Sequence, residues 1–230
     1  MEYSRSQIRD IIGWDTATWS KALRVWDEVI PGRANALAAL ELGAGRGGLS
    51  IYLAVHGYRV ICSDIRSPES EARGLHEKHS VAERVSYLAI DATAIDLPDH
   101  SVDAIAFKSL LAVLGKYDGK ASQDKAMQEF FRVLKPGGLL LFAENLAATR
   151  LHMFLRRRFV KWGSYCRYPS LAEFEDYLAR YSRFRLEATG FLATFGRSES
   201  QRSFLHFVDT VIDPFIPRSH HYLAVGWAQK

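Results

Sequence analysis

Residues 40–50 read LELGAGRGGLS, and their spacing fits two different chemistries. Gly43, Gly45 and Gly48 satisfy G-x-G-x-x-G, a loop whose backbone amides receive the pyrophosphate of a dinucleotide. Glu41, Gly43, Gly45 and Gly47 equally satisfy E-x-G-x-G-x-G. The glycines alone describe any tight strand-to-helix turn. Glu41 separates the readings, because a charged side chain buried without a partner at a strand end is costly. An acid there suits a nucleoside that carries an amine and a cationic sulfur, with its carboxylate received by the helix N-terminus near Gly47. Asp64, in VICSDI, can accept from both ribose hydroxyls of either cofactor. Asp91, in YLAIDATAIDLP, is placed to accept from an adenine amino group, with Ala92 against the ring. Each aspartate by itself also suits a helix cap or turn. Three acids at the ends of successive strands together describe a nucleoside cradle.

The elements that must position these acids follow from periodicity. Trp19, Leu23, Trp26 and Ile30 recur at helical spacing within 16–30, and Pro31-Gly32 ends that helix. Beyond it, strands at 36–42, 58–63, 85–90 and 102–108 alternate with helices at 47–56, 67–79 and 122–134. Pro136-Gly137-Gly138 reads as a turn before a buried strand, LLLFAE. The alternation predicts α/β architecture, a Rossmann-like doubly wound parallel sheet. The tail departs from it: 184–195 and 221–229 are strand-like, around a segment with helical spacing at Phe204, Phe207, Val208 and Val211. A closing β-hairpin with a helical insertion is expected. The division is a single domain over 1–230: an N-terminal cap over 1–32, a core over 36–146, a lid over 147–182 and the hairpin over 183–230.

Composition narrows the class. With 48% hydrophobic and 24% charged residues, the 230-residue chain reads as a soluble globular domain. No apolar run approaches the ~20 residues of a membrane span, and MEYSRSQIRD lacks the apolar stretch of a signal peptide. Cys62 and Cys166 show no metal-ligand or disulfide spacing and suit the cytoplasm. A net charge of +4 permits an anionic partner without demanding one.

Taken in order, LELGAGRGG, VICSDI, AIDATAIDLPDHSVDAI and RVLKPGGLLLF resemble the class I S-adenosylmethionine-dependent methyltransferases, near the ubiquinone/menaquinone group. The resemblance covers about 38–146. It implies S-adenosyl-L-methionine as cofactor and a seven-stranded sheet of order 3-2-1-4-5-7-6 with strand 7 antiparallel. By that resemblance Glu41, Gly43, Ala44 and Gly45 face the methionine part, Asp64 and Ile65 the ribose, and Asp91 with Ala92 the adenine. Lys108 and Ser109 would line the methionine side, although a lysine at 108 departs from the family's pattern.

The same resemblance puts the methyl acceptor between the N-terminal segment and the stretch after the fifth strand, with Trp14, Trp19, Tyr165 and Tyr168 as candidate contacts. Trp19 also has core spacing, as does Trp26. Methyl transfer is an in-line displacement on an activated carbon, so alignment does most of the work and a base serves only an acceptor that must lose a proton. His152 is the candidate base, and Glu144 a catalytic or substrate-orienting carboxylate. Lys108 stands where a metal-dependent enzyme would carry an acid, so no metal is expected. The segment 150–167 holds six Arg/Lys and no acid. As one helix it would align Leu151, Leu155, Phe159 and Trp162, with Arg157 and Lys161 turned away. Such a helix suits a solvated lid, an anionic membrane surface or an anionic substrate. The expectation is transfer to a small molecule, by O-methylation, the acceptor being anionic or lipid-linked. The alternatives are a Rossmann-type NAD(P)/FAD oxidoreductase, an rRNA/tRNA methyltransferase and a binding protein that retains the fold without turnover. The first leaves Glu41, Asp91 and LKPGG unexplained. The second is disfavoured because FKSLLAVLG lacks the proline-rich loop of amino-methylating enzymes and no separate RNA-binding module is visible.

Overall fold

A computed structural model describes residues 2–30, 37–160, 163 and 165–230. Helices α1 (Arg5–Ile12), α2 (Thr16–Trp19) and α3 (Lys21–Asp27) lead to strand β1 (Ala38–Leu42). The core continues through α4 (Gly48–Val55), β2 (Arg59–Asp64), α5 (Glu69–Lys78), β3 (Val85–Ala89) and β4 (Val102–Lys108). Then come α6 (Leu111–Asp118), α7 (Lys120–Val133), β5 (Leu134–Asn145), α8 (Arg150–Phe159) and α9 (Leu171–Leu178). β6 (Arg183–Thr189), α10 (Glu199–Ile212) and β7 (Leu223–Gln229) close the chain. The seven strands form one sheet in the order β3-β2-β1-β4-β5-β7-β6. β7 runs antiparallel to both of its neighbours, and the remaining pairs are parallel. This is the expected topology.

Alternation along the buried strands builds a core on each face. Ala104 and Ala106 of β4 join α1, α3 and α4 on one side. Ile105 and Phe107 join α7 and α9 on the other. Trp26 ties the N-terminal helices to the sheet, its indole N–H donating to the Gly226 carbonyl at 2.8 Å.

Several boundaries differ from the periodicity. The single helix over 16–30 is two, because Asp15 starts α2 from a left-handed conformation and Ser20 separates α2 from α3. Pro31 and Gly32 lie outside the described residues. α1 and α6 are additional helices. Pro136-Gly137-Gly138 is no reversal but a bulge inside β5: Val102 faces Leu134, while Ala104 already faces Leu139. The Gly137 N–H and the Gln229 side chain tie this bulge to the chain's last residues.

The lid differs most. α8 ends at Phe159 instead of continuing towards 167. Its buried residues are His152 and Arg156, whereas Leu151, Phe154 and Phe159 are exposed. The expected apolar stripe therefore faces outward. Trp162 and Lys161 lie outside the described residues.

Candidate active site

The C-terminal edge of the parallel strands carries the acids. Glu41 ends up almost fully buried, and its carboxylate accepts from the Leu49 and Ser50 amides at 3.1 and 2.7 Å. The Ser50 hydroxyl donates to it as well. Glu41 thus reaches across the glycine loop and caps α4 from the sheet, satisfying amides that a helix start leaves unpaired. Burial raises its pKa to about 7 against these stabilising hydrogen bonds.

The loop between Glu41 and α4 uses its glycines for distinct reasons. Gly47 has φ +73°, and a Cβ there would meet the His76 ring at 2.5 Å. At Gly48 a Cβ would meet the Ile11 carbonyl oxygen at 2.2 Å, so the third glycine of G-x-G-x-x-G is the seat of α1. Gly45 is the opposite case: a Cβ would meet nothing within 4 Å, because the backbone faces an open cleft.

Asp64 and Asp91 come to the same edge. Asp64 accepts from the Gly45 amide at 2.9 Å and from the Ile65 amide at 2.7 Å, which locks the loop to β2. The Ile65 side chain stands exposed beside it. Asp91 accepts from the Thr93 amide and hydroxyl, both at 2.8 Å, in an Asx turn, with Ala92 buried next to it. The Ile90 amide donates to the Asp64 carbonyl and brings the two aspartates onto adjacent strand ends.

Two cavities meet at this edge. One, of ≈ 330 Å3, runs along Glu41, Gly43, Ala44 and Gly45 under the end of α1. The other, of ≈ 570 Å3, lies beyond it and is walled by Trp14, Trp19, Tyr168, Tyr222, Arg156 and Arg202. Trp14, Gly43 and Lys108 line both. Lys108 Nζ lies 2.7 Å from the centroid of the Trp14 ring and 4.6 Å from that of Trp19. Desolvation holds its pKa well below the usual lysine range, although Glu144, Asp15 and Glu41 pull the other way. Of the candidate acceptor contacts, Trp14, Trp19 and Tyr168 line the larger cavity. Tyr165 does not; it is part-exposed, with Lys116 Nζ 4.7 Å from its ring centroid.

The two candidate catalytic residues are placed in supporting roles. His152 is buried, with Nδ1 2.7 Å from the Thr149 hydroxyl and Nε2 2.8 Å from the Phe191 carbonyl. Its ring stacks on Phe195 and meets Phe191 edge-on, and it does not line either cavity. Glu144 is fully buried and accepts from the Leu111 and Asn145 amides at 2.7 and 2.8 Å. It caps α6 as Glu41 caps α4, and burial likewise raises its pKa to about 7. Among the described residues no group of three or more His, Cys, Asp and Glu stands together as metal ligands.

Four cavity residues carried no legible signal in the sequence: Asp15, Arg156, Arg202 and Tyr222. The Tyr222 hydroxyl donates to Asp15 at 2.5 Å, joining the last strand to the N-terminal cap. Arg156 was visible as one basic residue among six, but nothing marked it as the buried one.

Sheet order and a glycine loop flanked by strand-end acids define the Rossmann-like class that binds a nucleoside at its switch point. Within that class, residues 40–142 match the family model described as "Methyltransferase domain". The chain is 32% identical over 114 residues to a demethylmenaquinone methyltransferase of Thermus thermophilus, covering 46% of each protein. It is 33% identical over 144 residues to an S-adenosyl-L-methionine-dependent Diels-Alderase of Talaromyces variabilis, covering 55% of this chain and 45% of that one. It spans less than half the length of these curated relatives. Among solved structures, phosphoethanolamine N-methyltransferase 2 of Haemonchus contortus in complex with S-adenosyl-L-methionine superposes with a TM-score of 0.63 at 18% identity. That match covers 98% of this chain and 56% of that one, a likeness of fold.

Proposed function

We propose that the protein is an S-adenosylmethionine-dependent methyltransferase that methylates an oxygen of a small anionic or lipid-linked acceptor. The observation that carries this reading is the pair of cavities meeting at Trp14, Gly43 and Lys108, one along the glycine loop and one beyond it. The cofactor supplies a methyl group on a cationic sulfur. Glu41, Ala44 and Gly45 would hold its methionine part, Asp64 and Ile65 its ribose, and Asp91 with Ala92 its adenine. The open face of Gly45 supports this fit.

The acceptor would occupy the larger cavity, its body against Trp14, Trp19 and Tyr168. Orientation in such a walled site supplies most of the acceleration. Lys108 takes the role of proton acceptor in place of His152, whose ring nitrogens are both engaged. Desolvation favours the uncharged amine, so Nζ can receive the hydroxyl proton as the oxygen–carbon bond forms and the sulfur–carbon bond breaks. The exposed face of α8, with Leu151, Phe154 and Phe159 beside Arg157 and Arg158, supports a peripheral contact with an anionic bilayer through which a lipid-linked acceptor would arrive.

The test is incubation of the purified protein with methyl-tritiated S-adenosylmethionine and a panel of hydroxylated carboxylic acids, scored for labelled product and S-adenosylhomocysteine. Label in an ether or ester product is expected. An acceptor converted without consuming the cofactor would overturn methyl transfer, a relevant outcome given the Diels-Alderase relative. Calorimetry with S-adenosylhomocysteine against NADH tests the cofactor separately.

A further inference from the structure

Arg156 is an unusual residue to bury. It sits on the inner face of α8 with about 5% of its surface exposed, and it lines the larger cavity. Its Nη1 donates to the Leu146 carbonyl at 2.6 Å, and its guanidinium carbon lies 4.4 Å from the Tyr168 ring centroid. Nη2 is buried and has no hydrogen-bond partner among the described residues. No carboxylate among the described residues forms an ion pair with it. Taking a guanidinium out of water without a counter-charge costs several kcal/mol, which a fold tolerates where a ligand supplies the missing charge.

The rest of the cavity agrees in sign and in shape. Lys108 lines it too, as the desolvated amine that receives the acceptor's proton and not as a counter-charge. Arg202 also contributes, though Glu199 already pairs with it at 2.9 Å. The acid in the wall, Asp15, is occupied by the Tyr222 and Thr18 hydroxyls. The aromatic rings of Trp14, Trp19, Tyr168 and Tyr222 line the same cavity. Since Lys108 is shared with the cleft along the glycine loop, it marks the end where a methyl group arrives. Arg156 lines the acceptor cavity alone.

We propose that Arg156 is an anion subsite that fixes the carboxylate of a planar aromatic acceptor, with the acceptor's hydroxyl directed to Lys108. This rests on the methyltransferase reading and narrows its acceptor to a hydroxyarene carboxylate. A guanidinium is suited to the planar carboxylate group, and the surrounding rings are suited to an arene. The arginines at 157 and 158 point outward and have no part in it.

The experiment measures binding of 4-hydroxybenzoate and of its neutral isostere 4-hydroxybenzamide to the protein saturated with S-adenosylhomocysteine, by calorimetry or ligand-observed NMR. A charge-assisted hydrogen bond predicts that wild type prefers the carboxylate by at least about tenfold. Arg156→Gln should lose that preference and Arg156→Lys retain part of it. Affinity for S-adenosylhomocysteine should be unchanged in both, because Arg156 does not line the cofactor cleft. Equal affinity for acid and amide, or a preference that survives in Arg156→Gln, overturns the subsite. So does failure of both probes to bind a protein that holds S-adenosylhomocysteine. Should Arg156→Gln fail to fold, the acid-to-amide ratio in wild type and in Arg156→Lys decides. A protein that binds no S-adenosylhomocysteine at all would instead defeat the underlying methyltransferase reading, so the two failures are distinguishable.

Discussion

Glu41 and Glu144 end strands β1 and β5, and each turns its carboxylate onto the backbone amides of a helix start. The arrangement satisfies orphan donors but leaves a desolvated carboxylate in the fold. Its consequence is a pH dependence with a definite sign. Both pKa values rise from 4.5 to about 7 on folding. Between those pH values the folded state binds more protons than the unfolded one, so these groups contribute most stability below pH 4.5 and lose it as pH climbs to about 7. Each shift corresponds to roughly 3 kcal/mol. Urea unfolding of Glu41→Gln should therefore show a shallower decline between pH 5 and 7 than wild type; an unchanged slope would refute a raised Glu41 pKa. A cationic ligand beside Glu41 favours its charged form, so calorimetric affinity for S-adenosylmethionine should strengthen from pH 6 to pH 8 and stay flatter in the variant.

At the scale of elements, the cofactor cleft depends on how α1 meets α4. The first helix carries an amphipathic pattern, with Ile11 and Ile12 buried, and its N-terminus is fixed by a Ser4–Gln7 capping box. Its last turn comes so close to the glycine loop that the Ile11 carbonyl occupies the space of a side chain at 48. Asp10, Ile11, Ile12 and Gly13 thereby roof the smaller cavity. Gly48→Ala should push α1 away, lowering stability by about 1–3 kcal/mol as overpacking does, and weakening S-adenosylhomocysteine binding by at least about tenfold. Gly74→Ala is the control, since a Cβ there meets nothing within 4 Å. Equal effects in the two variants, read by thermal unfolding and calorimetry, would remove α1 from the account of the cleft.

The whole molecule shows an asymmetry between a buried sheet and an apolar lid surface. Phe154 and Phe159 on α8, and Phe204 and Phe207 on α10, are all more than three-fifths exposed. Arg157 and Arg158 are exposed on the same helix as the first pair. No helix among the described residues is long and apolar enough to cross a membrane. Aromatic rings beside basic side chains match the interface of an anionic bilayer. Flotation with phosphatidylserine vesicles should recover the wild type, and the double reversal Arg157→Glu/Arg158→Glu should remain behind. Equal flotation of both proteins would set the bilayer contact aside. Arg156 is left out of that reversal because it faces inward.

The alternation of strands and helices, the glycine loop and the strand-end acids Glu41, Asp64 and Asp91 were legible because each rests on local pattern, whereas the order of the strands was implied by the family resemblance. The loop's partners were not legible, because Ile11 and His76 reach Gly48 and Gly47 from distant parts of the chain. On α8, periodicity identified an apolar stripe but could not say which face would be covered. The buried face follows from a carbonyl at Leu146 and a ring at Tyr168 on the segments flanking α8, and from a carbonyl at Phe191 farther along the chain, which helical periodicity does not show. The amino-acid order alone thus determined the elements and the acids at their ends, through local periodicity and backbone geometry. Tertiary structure decided the larger cavity, because the inward turn of Arg156 depends on how the segments flanking α8 fold back on it and the pairing of Asp15 with Tyr222 joins residues 207 positions apart.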